Sequence, residues 1–176
     1  NNGVKSNEEK IWLNNFEKEQ VLEEGYRSLQ ATKPITLAYS MVDNPVGVAA
    51  WILEKFYGWS DIKKNSLLDT YNINDLITNV MLYLVTNSFN TSTWIYFGRR
   101  EEGGRIMNSD GKRVEVPTAC ALFPRELLSW PPRSYVDRLY NVVQWNEFSK
   151  GGHFAAMEEP ELLIKDIIDY FNLIKK

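Results

Sequence analysis

The sequence predicts an α/β fold in which a mostly helical stretch, residues 1–100, leads into half of a doubly wound parallel sheet, residues 101–176. Three observations predict it. Apolar residues recur at helical spacing through the first hundred residues, two short apolar β-prone runs follow, and the chain ends on an amphipathic helix. Runs that are apolar without alternation fit strands buried on both faces, as in a parallel sheet. Two such strands with one flanking helix leave edges unprotected, so further strands are expected from another segment or another chain.

The helical part reads in order. Residues 1–10 are polar and expected to fray, after which Ile11, Trp12, Phe16, Val21 and Leu22 mark an irregular amphipathic helix ending near Gly25. Gly25 to Lys33 reads as a turn, and Pro34 opens a short helix to about Met41. Asn44 is a good cap and Pro45 a good first residue, which predicts a helix over 45–57 with Val48, Trp51, Ile52 and Phe56 on its apolar face. A Lys-, Asp- and Asn-rich loop runs to about Asn72. Helices are predicted over Ile73–Asn87, with Leu76, Val80, Tyr83 and Leu84 at helical spacing, and from Thr93 to about Arg100.

The turn-forming clusters Glu101-Glu102-Gly103-Gly104 and Ser109-Asp110-Gly111 suggest a connection and a domain boundary. Strands are predicted over Val114–Leu122 and Asn141–Trp145, separated by a proline-marked segment with a helical turn around Arg125–Leu128. Pro160–Ile174 closes the chain as a helix with Leu163, Ile164, Ile167, Ile168, Phe171 and Ile174 on one stripe, acids at its start and lysines at its end.

Composition narrows the partners. A chain of 176 residues is one ordinary domain, able to bury about 70% of its unfolded surface if it packs alone. Net charge −3 and the absence of a long basic run argue against nucleic acid or an anionic membrane as partner. The apolar runs around Gly47–Leu53 and Val80–Val85 are too short to span a bilayer, and the chain is expected to be soluble and intracellular. Cys120 is the only cysteine, so no disulfide forms within the chain and a small core residue is its simplest role. Aromatic residues make up 13% of the chain, which favours apolar pockets.

The chemistry centres on Lys150-Gly151-Gly152-His153-Phe154-Ala155-Ala156, which carries the only histidine. Two glycines let the backbone turn sharply after the second strand, placing His153 on a loop at the carboxyl end of the sheet, where open α/β sheets build sites. An imidazole doing proton work there needs an acid to fix its tautomer. The same segment also fits a structural loop histidine satisfied by a neighbour.

The order strand, acid, strand, histidine, helix, with a nucleophile expected earlier, is that of an α/β-hydrolase. The words Gly25-Tyr26, Gln30-Ala31-Thr32-Lys33-Pro34, Pro45-Val46-Gly47 with Ala49 to Phe56, Leu76 with Thr78 to Tyr83, and Gly151 to Ala156 with Glu158 to Leu163 resemble the microsomal and juvenile-hormone epoxide hydrolases. The resemblance covers nearly the whole chain and corresponds to that family's helical lid and the C-terminal part of its α/β-hydrolase fold. It implies that His153 activates water against a covalent ester, that Glu126 orients it, and that Tyr26 and Tyr96 donate hydrogen bonds to the epoxide oxygen. Asp137, Glu147 and Glu158 are rival acids, and Glu158 and Glu159 are also explained as favourable charge at a helix start. Tyr83 and Tyr39 are candidates for packing. Trp51, Trp94 and Phe89 suggest an apolar epoxide.

The departures are three minor substitutions and one serious absence. Asn44 stands where the family usually has Ser, Ile35 where an acid is common, and Lys150 where Arg is common. No residue matches the family's nucleophilic aspartate or its oxyanion donors; Asp43 and Asp61 are poor substitutes. The resemblance therefore implies a fragment that converts an apolar epoxide to a vicinal diol only with an N-terminal half, is nearly inactive alone, and requires no metal or cofactor. It also implies that the family's membrane anchor lies outside the chain. Two other readings stay open: a non-enzymatic module binding lipophilic ligands, and a haloalkane dehalogenase, which has no need of paired tyrosines. The exposed sheet edge predicts self-association.

Overall fold

The computed structural model describes residues 4–103 and 112–175; the clusters at Gly104 and at Ser109-Asp110-Gly111 lie outside them. The order is α1 (Asn7–Glu23), α2 (Gly25–Thr32), α3 (Pro34–Met41), α4 (Pro45–Gly58), α5 (Leu67–Thr70), α6 (Ile73–Val85), α7 (Phe89–Glu101), β1 (Val114–Leu122), α8 (Arg133–Val136), β2 (Tyr140–Glu147), α9 (Ala155–Glu158) and α10 (Pro160–Ile174). No helix among the described residues is long and apolar enough to cross a membrane. The chain forms two compact units that interleave along the sequence. One takes the chain up to Val21, the stretch Trp59–Asp61 and the chain from β1 onward; the other takes Leu22–Gly58 and Ile62 through α7.

The helical unit is built from α2 to α7. The stretch from Gly25 is a helix, not the predicted turn. Gly25 opens it, and Pro34 stands at the first position of α3, where its missing N–H takes no helical bond away, so the chain breaks only at Lys33 (φ −137°, ψ 51°). Asn44 caps α4 as predicted, its Oδ1 accepting from Gly47 N at 2.9 Å. The predicted loop before α6 contains a 3₁₀ turn at Lys63–Asn65 and α5, and α7 starts at Phe89, earlier than the predicted Thr93. Leu37, Val48, Val80 and Phe89 form the buried centre, with Trp51, Ile52, Tyr83 and Leu84 packed on it. Each such burial contributes roughly 1.5–3 kcal/mol relative to exposure. Tyr39, expected to pack, is 77% exposed because the buried side of α3 is Leu37 and Ala38.

The second unit holds the sheet. β1 and β2 pair in parallel from Val114↔Tyr140 to Leu122↔Glu147, with register shifts around Pro117, which has no N–H to give the ladder, and at Thr118/Ala119. The strands are not buried on both faces as predicted: Leu122 is buried, but Val116 is largely exposed. Among the described residues α10 packs on β1, through contacts such as Tyr170 Oη donating to Pro117 O at 2.6 Å, and the short α8 packs on β2. The apolar stripe of α10 is itself about half exposed at Ile164, Ile168 and Phe171.

The expected fray at the start of the chain is also absent from Asn7 onward. Glu9 is buried and accepts from Arg138 Nη1 at 2.6 Å and Nη2 at 2.9 Å, from Ser134 Oγ at 3.0 Å and from Lys5 N at 2.7 Å. The Arg138 guanidinium, followed by the other donors, holds its carboxyl down at about 2. Trp12 Nε1 donates to Ser129 O at 2.9 Å, and Glu19 accepts from Ser129 N at 2.6 Å, so polar contacts fasten α1 along its length.

Candidate active site

The helical turn predicted around Arg125–Leu128 is irregular chain; it is displaced to α8, which starts after Pro131-Pro132. The irregularity serves the site. Beyond the ends of β1 and β2 the parallel pairing resumes as a single bridge, Arg125↔Gly152, with Arg125 N donating to Gly151 O at 3.1 Å. The residues that follow, Glu126 and His153, therefore emerge side by side. His153 Nδ1 and Glu126 Oε2 are 2.8 Å apart.

A carboxylate can only accept, so Nδ1 carries the proton and, in the neutral imidazole, Nε2 keeps its lone pair. Glu126 raises the imidazole pKa above its ordinary value, first through this hydrogen bond; burial opposes the rise, and the charges of Glu126 and Glu158 add to it. The imidazole side chain is 37% exposed, open enough for water to reach it, while that of Glu126 is 19% exposed. Glu126 Oε2 also accepts from Leu127 N at 3.2 Å.

The turn that presents His153 depends on both glycines. Gly151 has φ +97°, and a Cβ on Gly152 would lie 2.6 Å from Trp59 O and 2.8 Å from Arg125 O. His153 N donates to Trp59 O at 2.8 Å, and the rings of Trp59 and Phe154 meet the imidazole edge-on at 5.2 and 5.1 Å. Sequence reasoning missed Trp59, because nothing local marks a residue that pairs across so long a separation.

The rival acids are engaged elsewhere. Asp137 pairs with Arg133 at 3.4 Å, and Glu147 accepts from Trp145 Nε1 at 3.0 Å. Glu158 is buried and spends both oxygens on backbone, accepting from Phe154 N at 3.0 Å and Asp61 N at 2.7 Å. Glu159 pairs with Lys150 at 2.5 Å. Specific bonds, more than helix-end charge alone, account for this acidic pair.

In the helical unit, packing of α2 along α7 brings Tyr26 and Tyr96 together. Their rings meet edge-on with centroids 6.0 Å apart, both half-buried, and Lys55 Nζ lies 4.9 Å from the centre of the Tyr26 ring. Among the described residues no group of three or more His, Cys, Asp and Glu side chains is gathered to hold a metal ion. Cys120 is half-buried on β1, and burial pushes its thiol pKa up.

No protein-family model matches the sequence. Individual proteins do. Juvenile hormone epoxide hydrolase 1 of Ctenocephalides felis is 43% identical over 162 residues, which are 89% of this chain and 34% of that protein. Epoxide hydrolase 1 of Oryctolagus cuniculus is 36% identical over 159 residues, 88% of this chain and 35% of that protein. The crystal structure of juvenile hormone epoxide hydrolase from Bombyx mori superposes with a TM-score of 0.82 at 30% identity, covering 98% of this chain and 43% of that one. Aspergillus niger epoxide hydrolase gives 0.73 at 25% identity, over 96% and 40%. The chain spans about a third of the length of the curated relatives it matches. Over that part of their length the chain is similar in sequence and structure to juvenile hormone epoxide hydrolases and other epoxide hydrolases, and it shares their α/β-hydrolase fold.

Proposed function

We propose that the chain carries the water-activating and oxygen-protonating groups of an epoxide hydrolase that converts an apolar epoxide to a vicinal diol. The carboxylate that attacks carbon is an aspartate in the part of the relatives that the chain does not match. The helical unit acts as lid and the other as the C-terminal part of the hydrolase core. The observation that carries this reading is the 2.8 Å contact between His153 Nδ1 and Glu126 Oε2, which leaves Nε2 free.

In the first step the aspartate bonds to a ring carbon and the carbon–oxygen bond breaks, leaving its electron pair on oxygen. Tyr26 and Tyr96 donate to that oxygen and supply the proton that makes it a hydroxyl. In the second step His153 Nε2 takes a proton from water, and the resulting hydroxide adds to the ester carbonyl. The acyl–oxygen bond then breaks, releasing the diol and the carboxylate. Proton return from the imidazolium side restores the phenol, so the net change is epoxide plus water to diol. Only a neutral imidazole serves as base. Because Glu126 raises the His153 pKa, ester hydrolysis develops as pH climbs past a value above the ordinary 6.5.

The test is a chimera in which this chain replaces the matching stretch of the Ctenocephalides felis relative. The chimera is expected to turn over an apolar epoxide, and the chain alone is not. His153→Gln should cut diol release by about 10²–10⁴-fold. It should also leave the protein heavier by the mass of one epoxide. Diol release unchanged in His153→Gln would sink the reading. The unpaired outer edges of β1 and β2 among the described residues, with the half-exposed stripe of α10, support completion by another segment. Sedimentation of the chain alone reads the competing outcome, self-association through the same edges.

A second reading has one observation in its favour. A hollow of about 420 Å³ in the helical unit is lined by Met41, Val48, Tyr83 and Phe89, with Asn87 and Asp43 at its polar side, and suits a lipophilic ligand. Tight binding of an apolar fluorescent probe, displaced in Val48→Trp, together with an inactive chimera, would favour that binding module.

A further inference from the structure

Asp61 has no part in the reaction proposed above, yet its carboxylate lies between the two loops that carry the acid–base pair. Oδ2 accepts from Gly151 N at 3.0 Å, and Oδ1 lies 3.7 Å from Arg125 Nε. Gly151 is two positions before His153, and Arg125 is adjacent to Glu126. The backbone of Asp61 is fixed in turn, its N–H donating to buried Glu158, whose other oxygen accepts from Phe154 N on the far side of His153. Trp59 O takes the N–H of His153 itself. The tripeptide Trp59–Asp61 is separated in sequence from the rest of its unit, with helical-unit residues on either side, and it packs with the loops.

We infer that Asp61 is a positioning residue, whose carboxylate clasps the Gly151 and Arg125 loops so that His153 Nδ1 meets Glu126. This rests on the reading of Glu126 and His153 as an acid–base pair. The geometry leaves little alternative play. Gly151 sits at positive φ, where the chain has no intrinsic preference for a single conformation, and the Arg125↔Gly152 contact is a single bridge beyond the ladder. Without an acceptor for Gly151 N, one N–H of a buried turn loses its partner and the bridge loses its neighbour.

The only histidine in the chain gives a single imidazole titration, readable by NMR in the chain as it stands. The charged groups facing that ring are Glu126, Glu158 and, through the loop, Asp61 with Arg125. In Glu126→Gln the midpoint should fall towards the ordinary imidazole value. In Asp61→Ala it should fall as well, although Glu126 is intact, and the double variant should fall no further than Glu126→Gln alone. Asp61→Asn keeps an oxygen for Gly151 N but no charge. It should restore most of the wild-type midpoint, whereas a direct effect of charge would make it behave like Asp61→Ala.

A midpoint unchanged in folded Asp61→Ala, alongside a fall in Glu126→Gln, overturns the clasp and leaves the acid–base pair standing. A midpoint unchanged in Glu126→Gln overturns the pair and the clasp with it. If Asp61→Ala does not fold, hydrogen exchange of Gly151 N–H in wild type and Asp61→Asn decides. Protection in both supports the clasp, and rapid exchange in wild type removes it.

Discussion

Tyr26 and Tyr96 ride on two packed helices, whereas Glu126 and His153 ride on loops with no regular structure, and each pair is held by different means. The phenols inherit their positions from the regular helices α2 and α7, and their rings meet edge-on at 6.0 Å. The contact between Glu126 and His153 has no such frame. Its loops are held by a single bridge, by the carbonyl of Trp59 and by the carboxylates of Asp61 and Glu158. A helix tolerates exchange of one side chain on its surface; a turn held by a few directed bonds does not.

The comparison breaks most visibly in activity. In the chimera, Tyr26→Phe and Tyr96→Phe each remove one hydroxyl donor while keeping the ring contact. Each should lower the rate of ester formation by roughly 10²-fold, as loss of one oxyanion donor does. Single-turnover measurement separates this from His153→Gln, which should leave ester formation intact. Equal loss of ester formation in all three variants would mean the two pairs do not divide the reaction.

Next comes acid stability. Glu9, whose carboxyl is held at about 2 by Arg138, ties the start of α1 to the segment that follows the Glu126 loop. Its folded pKa lies below the ordinary 4.5, so its stabilisation is complete above that value and is lost as pH falls through about 2. Glu9→Gln should therefore unfold at lower denaturant than wild type at neutral pH, and the gap should close across that acid window. His153 runs the opposite way. Its pKa is raised, so its bond to Glu126 stabilises fully below the unfolded value and fades as pH climbs through the folded one.

Much of the framework is legible in the sequence. Asn44-Pro45, the apolar stripe after Pro160 and the run Val114–Leu122 carry local signals, and the helix starts at Pro45 and Pro160 and the first strand fall where those signals put them. α2 is misread because Gly25 and Pro34 both look like breakers, and only their positions relative to neighbouring helices make them harmless. The exposure of both strands is misread for another reason, since apolarity records what a strand is built to meet and not what the described residues supply. The His153–Glu126 contact is foreseeable from matched words. The bonds of Trp59 and Asp61 to the His153 loop, and that of Asp61 to Glu158, are not, because they join residues far apart in sequence and a single aspartate in a polar stretch looks like any solvated acid.

Glycine substitution sharpens the contrast between loop and helix at smaller scale. A Cβ on Gly152 would meet Trp59 O at 2.6 Å, Arg125 O at 2.8 Å and Ser60 Cα at 2.9 Å, all backbone atoms that cannot rotate away. Gly152→Ala should cost about 1–3 kcal/mol, as overpacking does, and lower the His153 titration midpoint by moving the bridge. Gly98 lies inside α7, two positions after Tyr96, with nothing within 4 Å of an added Cβ. There alanine removes backbone freedom from the unfolded chain and meets no wall. Gly98→Ala should stabilise by up to about 1 kcal/mol, raising Tm by about 2–4 °C. Thermal melts of both variants test this directly. A loss at Gly98 as large as that at Gly152 would show that the tyrosine helices, too, depend on close contacts, and the distinction between the two ways of holding a site would fail.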